Sequence, residues 1–164
     1  VAEDDSAIVG RASREECHGN PALVHRAVRV MVFHPDGRLL LQKRSLNKKV
    51  QPGKWDAAVG GHVASGETLS QAVNRELAEE IGIVPREGEL QNFYTISVRN
   101  SFESENITVY RMTHTGPFVM QEEELSDLRF FSFTELKKLF SESPEIFTPL
   151  LQSELEEHLL PMQA

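Results

Sequence analysis

Three glutamates, Glu76, Glu79 and Glu80, crowd into five consecutive residues. On a helix, at about 100° per residue, they fall within one wedge roughly 100° wide. That wedge partly overlaps an apolar stripe of Leu69, Val73 and Leu77. Neighbouring carboxylates repel one another, and burying any of them is costly. Glu79 and Glu80 also fall in the last turn of the helix, where its dipole disfavours negative charge. A divalent cation removes the conflict, because hard cations such as Mg²⁺ take several oxygen ligands. Arg75, four residues before Glu79, suits a charge-assisted bond to that carboxylate. Taken alone, the stretch also fits a solvated acidic helix face.

The helix has clear ends. Thr68 with Gln71 forms a capping-box pattern, and Gly82 sits where a left-handed C-terminal residue belongs. Upstream, Ala27 to Phe33 alternates as a strand does, Pro35-Asp36-Gly37 marks a turn, and Leu39 to Arg44 is the return strand. Val50 to Lys54 is a loop, followed by the Gly-rich, short-stranded Trp55 to Val63. Downstream, Leu90 to Arg99, Ile107 to Thr113 and Leu128 to Phe131 read as strands. Ser132 to Glu135 is a second capping box opening a helix to about Ser141, and Thr148-Pro149 starts a last one. Near the N-terminus, Ala7 to Ala12 suits a short strand and Arg14 to His18 one helical turn. Interleaved strands and helices predict an α/β fold: a mixed sheet with helices on both faces.

The chain has 164 residues, 40% of them hydrophobic, which suits one globular domain over 1–164. A net charge of −8 argues against nucleic acid or an anionic membrane as partner. A phosphorylated ligand must then be neutralised locally. Lys43, Arg44 and Lys54 are candidates for that, unless they are plain surface charge, and Trp55 either stacks on a ligand or belongs to the core. One cysteine, Cys17, excludes an internal disulfide framework. No apolar run is long enough to span a bilayer, and Val1 to Gly10 lacks a signal-peptide layout, so the expected compartment is cytoplasmic.

Gly61, five residues, Glu67, seven residues, then Arg75-Glu76-Leu77-Ala78-Glu79-Glu80-Ile81-Gly82-Ile83 resembles the Nudix box at every fixed position. The box spans 61–83. Leu39 to Arg44 and Pro52-Gly53-Lys54-Trp55, leading into Gly60-Gly61, also resemble the family's preceding strand and loop. The resemblance implies the Nudix α/β/α sandwich and a Mg²⁺- or Mn²⁺-dependent attack of water on a small organic diphosphate, nucleoside-linked or otherwise. It implies metal ligation by Glu76, Glu79, Glu80 and the Gly61 carbonyl, with Glu67 and Arg75 orienting that cluster. The water-activating base stays open among Glu76, Glu79 and the loop glutamates Glu122, Glu123 and Glu124. A sensor that binds without cleaving is the other class; such domains usually lose box glutamates, and this chain keeps them. A homodimer is the assembly the resemblance suggests.

A narrower likeness accompanies it. Glu16-Cys17-His18 and Pro21 to Ala27 are similar to isopentenyl diphosphate isomerase, a Nudix-fold enzyme. That resemblance puts three metal-binding histidines at His18, His25 and His62, and two of its glutamates at Glu80 and Glu105. It also puts Gly60 where the isomerase has its reactive cysteine and Ile107 where it has another catalytic glutamate. Double-bond migration needs both proton-transfer groups. The resemblance therefore implies an isomerase-like hydrolase, with 1–24 as an N-terminal extension. His18, His25, His62 and Glu105 form either a second metal site or ordinary structural contacts. Phe93, Tyr94, Phe102 and Tyr110 either line a base or prenyl site or belong to the core.

Overall fold

The computed structural model describes residues 2–4, 7–8 and 12–163. In chain order these form β1 (Ala2–Asp4), β2 (Ala7–Ile8), α1 (Arg14–Cys17), β3 (Val24–Phe33), β4 (Leu39–Arg44), β5 (Trp55–Ala57), β6 (Val59–His62), α2 (Leu69–Ile81), β7 (Gln91–Arg99), β8 (Ser104–Thr113), β9 (Leu125–Phe131), α3 (Phe133–Glu142) and α4 (Pro149–Glu154). A π-helical turn, Leu155–Leu159, extends α4.

The β-branched run in β3 makes it the spine of a mixed sheet. It pairs in parallel with β8 over its whole length, and antiparallel on its other side with β6 and then the start of β4. β4 also carries β5 and β9, and β7 closes the far edge beyond β8. Successive residues of β3 point to opposite faces, and both faces are covered. On one, Val28, Val30 and Val32 meet Ala72, Val73, Leu77 and Ile81 of α2. On the other, Ala27, Met31 and Phe33 meet Leu136 of α3 and Leu151, Leu155 and Leu159 of the C-terminal helix. Each such aliphatic side chain, fully buried, contributes roughly 1.5–3 kcal/mol. The expected α/β/α sandwich is what the chain forms.

β3 starts three residues ahead of the periodic segment, at Val24, because Ser104 of β8 offers it a parallel partner there. β9 likewise starts early, at Leu125, opposite Arg44. The strand expected over Ala7 to Ala12 is described at Ala7–Ile8, paired with Ala2–Asp4; Val9 to Arg11 lie outside the described residues.

The α2 capping box is complete: Thr68 Oγ1 accepts from the Gln71 amide at 3.1 Å, and the Gln71 side chain accepts from the Thr68 amide at 3.0 Å. Gly82 closes the helix at φ 69°. Thr68→Ala should therefore cost about 1 kcal/mol. For a chain of this size that lowers the melting temperature by roughly 2–4 °C; an unchanged melting curve would contradict the cap. The second box is half formed. Ser132 Oγ accepts from the Glu135 amide at 3.1 Å, but the Glu135 carboxylate is taken by Arg129 at 2.7 Å.

A buried polar network pins the C-terminal helix. Arg29 donates to Asp56 at 2.7 Å and to Glu154 at 2.6 Å, Tyr94 donates to the other Glu154 oxygen at 2.6 Å, and Thr148 donates to Asp56 at 2.9 Å. No helix among the described residues is long and apolar enough to cross a membrane.

Candidate functional site

The apolar stripe that docks α2 on the sheet also decides which glutamates point inward. Glu80, one residue before Ile81, is only 8% exposed. Its carboxylate accepts from the Gly60 amide at 3.1 Å. Burial, reinforced by the charge of Glu76, raises its pKa to about 8 despite that hydrogen bond. Glu76 is also pushed up by burial, partly offset by Arg75. Its carboxylate lies flat against Gly61, where any Cβ would collide with it. Glu79 stands at the rim, its side chain 53% exposed.

Arg75 organises the group. It grips Glu67 with two parallel bonds at 2.7 and 3.0 Å, reaches Glu76 at 2.7 Å, and donates to the His62 carbonyl at 3.0 Å. Glu79, the partner expected from helix spacing, is met only at 3.4 Å, because it points outward. Glu67 also accepts from the Ala64 amide at 2.8 Å, and Arg75 holds its carboxyl below the usual range. Glu67→Gln weakens this bidentate grip. If the cluster holds a divalent ion, a 10–100-fold loss of its affinity is expected, read as a shift of the half-saturation point for the metal.

The segment before β9 is strapped to the end of α2 by Val119 N–H to Ile81 O at 2.9 Å and Gln121 N–H to Glu80 O at 3.1 Å. Of the three loop glutamates, Glu124 is half-buried and its charge adds to the upward push on Glu80; Glu122 and Glu123 are exposed. Glu124 forms an ion pair with Lys48, a residue the sequence reading passed over although it stands in a Lys-Lys pair. Arg44 is spent within its own loop, donating to the Val50 carbonyl at 3.0 Å and lying 4.0 Å from Asp56. Lys43 is in register with Trp55 across β4 and β5. Lys54 is half-buried, and its carbonyl receives the Arg44 amide at 2.8 Å. Trp55 packs edge-on against Phe131 at 4.9 Å beside the α3 and α4 core. Phe93 and Tyr94 pack against that same core, Tyr110 packs on the α2 side, and Phe102 is exposed beside His18.

A second cluster gathers at one end of the sheet. His18 follows α1, His25 lies at the start of β3, and His62 ends β6. One ligand atom from each of these and from Glu103 fall within 4.8 Å of one another. His18 Nε2 is 3.1 Å from Glu103, and His25 Nε2 is 3.6 Å from both Glu103 and Glu105. His62 Nε2 is 3.8 Å from Glu105. Burial pushes the Glu105 carboxyl up, but the neighbouring imidazoles outweigh it and hold the group low. His25 is 7% exposed, and neither of its ring nitrogens has a hydrogen-bond partner among the described residues. A buried polar atom left without a hydrogen bond costs about 1–3 kcal/mol, which the carboxylates at 3.6 Å offset only in part. Glu103 is the member the sequence reading missed. Two residues before Glu105, it falls on the same side of the chain by the strand period of two.

Comparison with known proteins places the chain in a family. The NUDIX domain model matches residues 23–151. The chain belongs to the Nudix family. Nudix hydrolase YfcD of Escherichia coli K12 is 32% identical over 155 residues, covering 91% of this chain and 79% of that one. Isopentenyl-diphosphate Delta-isomerase 2 of Photorhabdus laumondii is 30% identical over 142 residues, covering 85% of this chain and 80% of that one. The crystal structure of DR0079 from Deinococcus radiodurans superposes with a TM-score of 0.77 at 21% identity, over 94% of both chains, a likeness of fold. This is a Nudix hydrolase with isomerase-like relatives.

Proposed function

We propose that this Nudix hydrolase cleaves a phosphoanhydride bond in a small organic diphosphate, with Glu76, Glu79, Glu80 and the Gly61 carbonyl holding Mg²⁺ or Mn²⁺. The observation that carries the reading is the buried Glu80 carboxyl, raised to about 8 and set beside Glu76. Two inward carboxylates at the end of a helix are unfavourable unless a cation joins them. A divalent ion held by these residues would supply Lewis acidity and would lower the pKa of water bound to it. The chain's own part is positional. Gly61 lets Glu76 approach, Arg75 and Glu67 fix its direction, and the Gly60 amide orients Glu80. The water's proton goes to a carboxylate at this rim: Glu76, Glu79 or one of the loop glutamates Glu122, Glu123 and Glu124, of which Glu124 is half-buried and adds to the upward push on Glu80.

Structural relatives favour a diphosphate-linked nucleoside as one substrate class. Those of similar fold include the Caenorhabditis elegans Ap4A hydrolase in a binary complex, TM-score 0.57, and the NUDIX domain of Shewanella oneidensis NrtR with ADP ribose, TM-score 0.53. Double-bond isomerisation is disfavoured. Gly60 presents no side chain, and Ile107 is 2% exposed in the apolar core.

A second reading concerns the histidines. We propose that His18, His25, His62 and Glu103, with Glu105 beside them, hold a transition metal, for which imidazole nitrogens are suited where Mg²⁺ is not. The convergence of four ligand atoms within 4.8 Å favours it over plain structural packing.

The test is a panel of nucleoside diphosphate sugars, ADP-ribose, dinucleoside polyphosphates and prenyl diphosphates, incubated with Mg²⁺ or Mn²⁺ in H₂¹⁸O. Hydrolysis puts one ¹⁸O into a product phosphate. Conversion of isopentenyl diphosphate to its allylic isomer without phosphate release would instead restore the isomerase.

A further inference from the structure

We infer that His62 couples the two clusters, so that a transition metal at the histidines tightens Mg²⁺ binding at the glutamates. The inference rests on reading both clusters as metal centres. Three consecutive residues of β6 touch the carboxylate group. The Gly60 amide donates to Glu80 at 3.1 Å, Gly61 backs the Glu76 carboxylate, and the His62 carbonyl accepts from Arg75 at 3.0 Å. That same Arg75 holds Glu67 and Glu76. The His62 ring belongs to the other cluster, with its centroid 4.9 Å from that of His25 and 5.3 Å from that of His18. One residue thus presents its ring to one centre and its carbonyl to the clamp of the other.

The strand around it gives little slack. His62 is in register with Ala27 of β3, and the next amide, Val63, donates to the Arg26 carbonyl at 3.0 Å. His25 sits two residues before Ala27 on the same strand. A metal that fixes the His25 and His62 rings therefore fixes β6 against β3 and, through the peptide of His62, the direction of Arg75. Mg²⁺ then meets carboxylates already ordered. Binding free energies couple reciprocally, so Mg²⁺ must tighten the histidine metal by the same factor.

The experiment begins with chelator-stripped full-length protein. One portion is reloaded with one equivalent of Zn²⁺, verified by elemental analysis. Mg²⁺ is titrated calorimetrically into both, and Zn²⁺ affinity is measured by chelator competition with and without saturating Mg²⁺. The expected result is about tenfold tighter Mg²⁺ binding in the zinc form, within the usual range for coupled sites, with an equal factor in the reverse direction. His25→Ala should give the stripped value with or without zinc. His18→Ala, at a less buried position, repeats the test should His25→Ala fail to fold. Zinc bound at one equivalent with unchanged Mg²⁺ affinity overturns the coupling and leaves the histidine centre standing. Failure to take up zinc overturns both, while hydrolysis by the glutamates is judged separately by turnover.

Discussion

Glu80→Gln is expected to stabilise the metal-free protein while reducing turnover about 1000-fold. Burial, with the charge of Glu76 beside it, pushes the Glu80 carboxyl up to about 8 in the folded chain, from an ordinary value of 4.5. A carboxyl whose folded pKa is raised binds an extra proton between those two values, so stability falls as pH climbs through that window. The penalty is fully present above pH 8, where the buried group must carry its charge beside Glu76. Glutamine keeps the size and an oxygen to accept from the Gly60 amide but removes the charge. At pH 8.5 it should add on the order of 2–4 kcal/mol. That corresponds to a rise of roughly 5–10 °C in melting temperature, and almost none at pH 5. Saturating Mg²⁺ should reverse the ranking, because only the wild type adds the buried Glu80 charge to those of Glu76 and Glu79 for the ion to neutralise. The lost ligand removes several kcal/mol of transition-state stabilisation, which is the 1000-fold. Thermal melts of both proteins at pH 5 and 8.5, with and without Mg²⁺, decide it. Equal melting temperatures at pH 8.5 would show that Glu80 carries no such burden.

Gly61→Ala should separate activity from folding. Its backbone is not in the left-handed region, so alanine brings no conformational strain. The nearest atoms the new methyl would meet are those of the Glu76 carboxylate, the far end of a flexible side chain. Glu76 swings away and the fold survives, with stability changed by less than about 1 kcal/mol. Displacement of a catalytic group by an ångström costs about 100-fold, and that is the loss of kcat/KM expected. Since the harm passes through Glu76, Gly61→Ala and Glu76→Gln should be strongly non-additive, the double variant losing little more than either single one. Additive losses would mean that Gly61 acts by another route.

The glutamate-bearing helix was legible because its rules are local: the cap at Thr68, the stop at Gly82, the stripe of Leu69, Val73 and Leu77, and the misplaced glutamates all lie within fifteen residues of chain. The sheet's two covered faces also followed from the interleaving of strands and helices along the chain. What stayed hidden depends on distant partners. Val24 to His25 is strand only because β8 lies beside it. The Arg29, Asp56, Glu154 and Tyr94 network joins positions up to 125 residues apart, and no spacing rule reaches that far. Trp55 could be read either as ligand platform or as core, and Phe131 across the fold decided for core packing. The histidines came together in the reading through family likeness alone. Glu103 was passed over because the likeness pointed to Glu105, although the period of two pointed to both. Lys48 pairs with Glu124 across 76 residues, a contact that no spacing rule reaches.

The most direct test of the central claim is turnover of the best substrate in the panel, measured in Mg²⁺ for the wild type and for a Glu79→Gln/Glu80→Gln double variant of matched thermal stability. The account predicts metal-dependent hydrolysis in the wild type and a loss of at least about 1000-fold in the variant. Tight ligand binding without turnover by the wild type, or equal turnover by the two proteins, would contradict it.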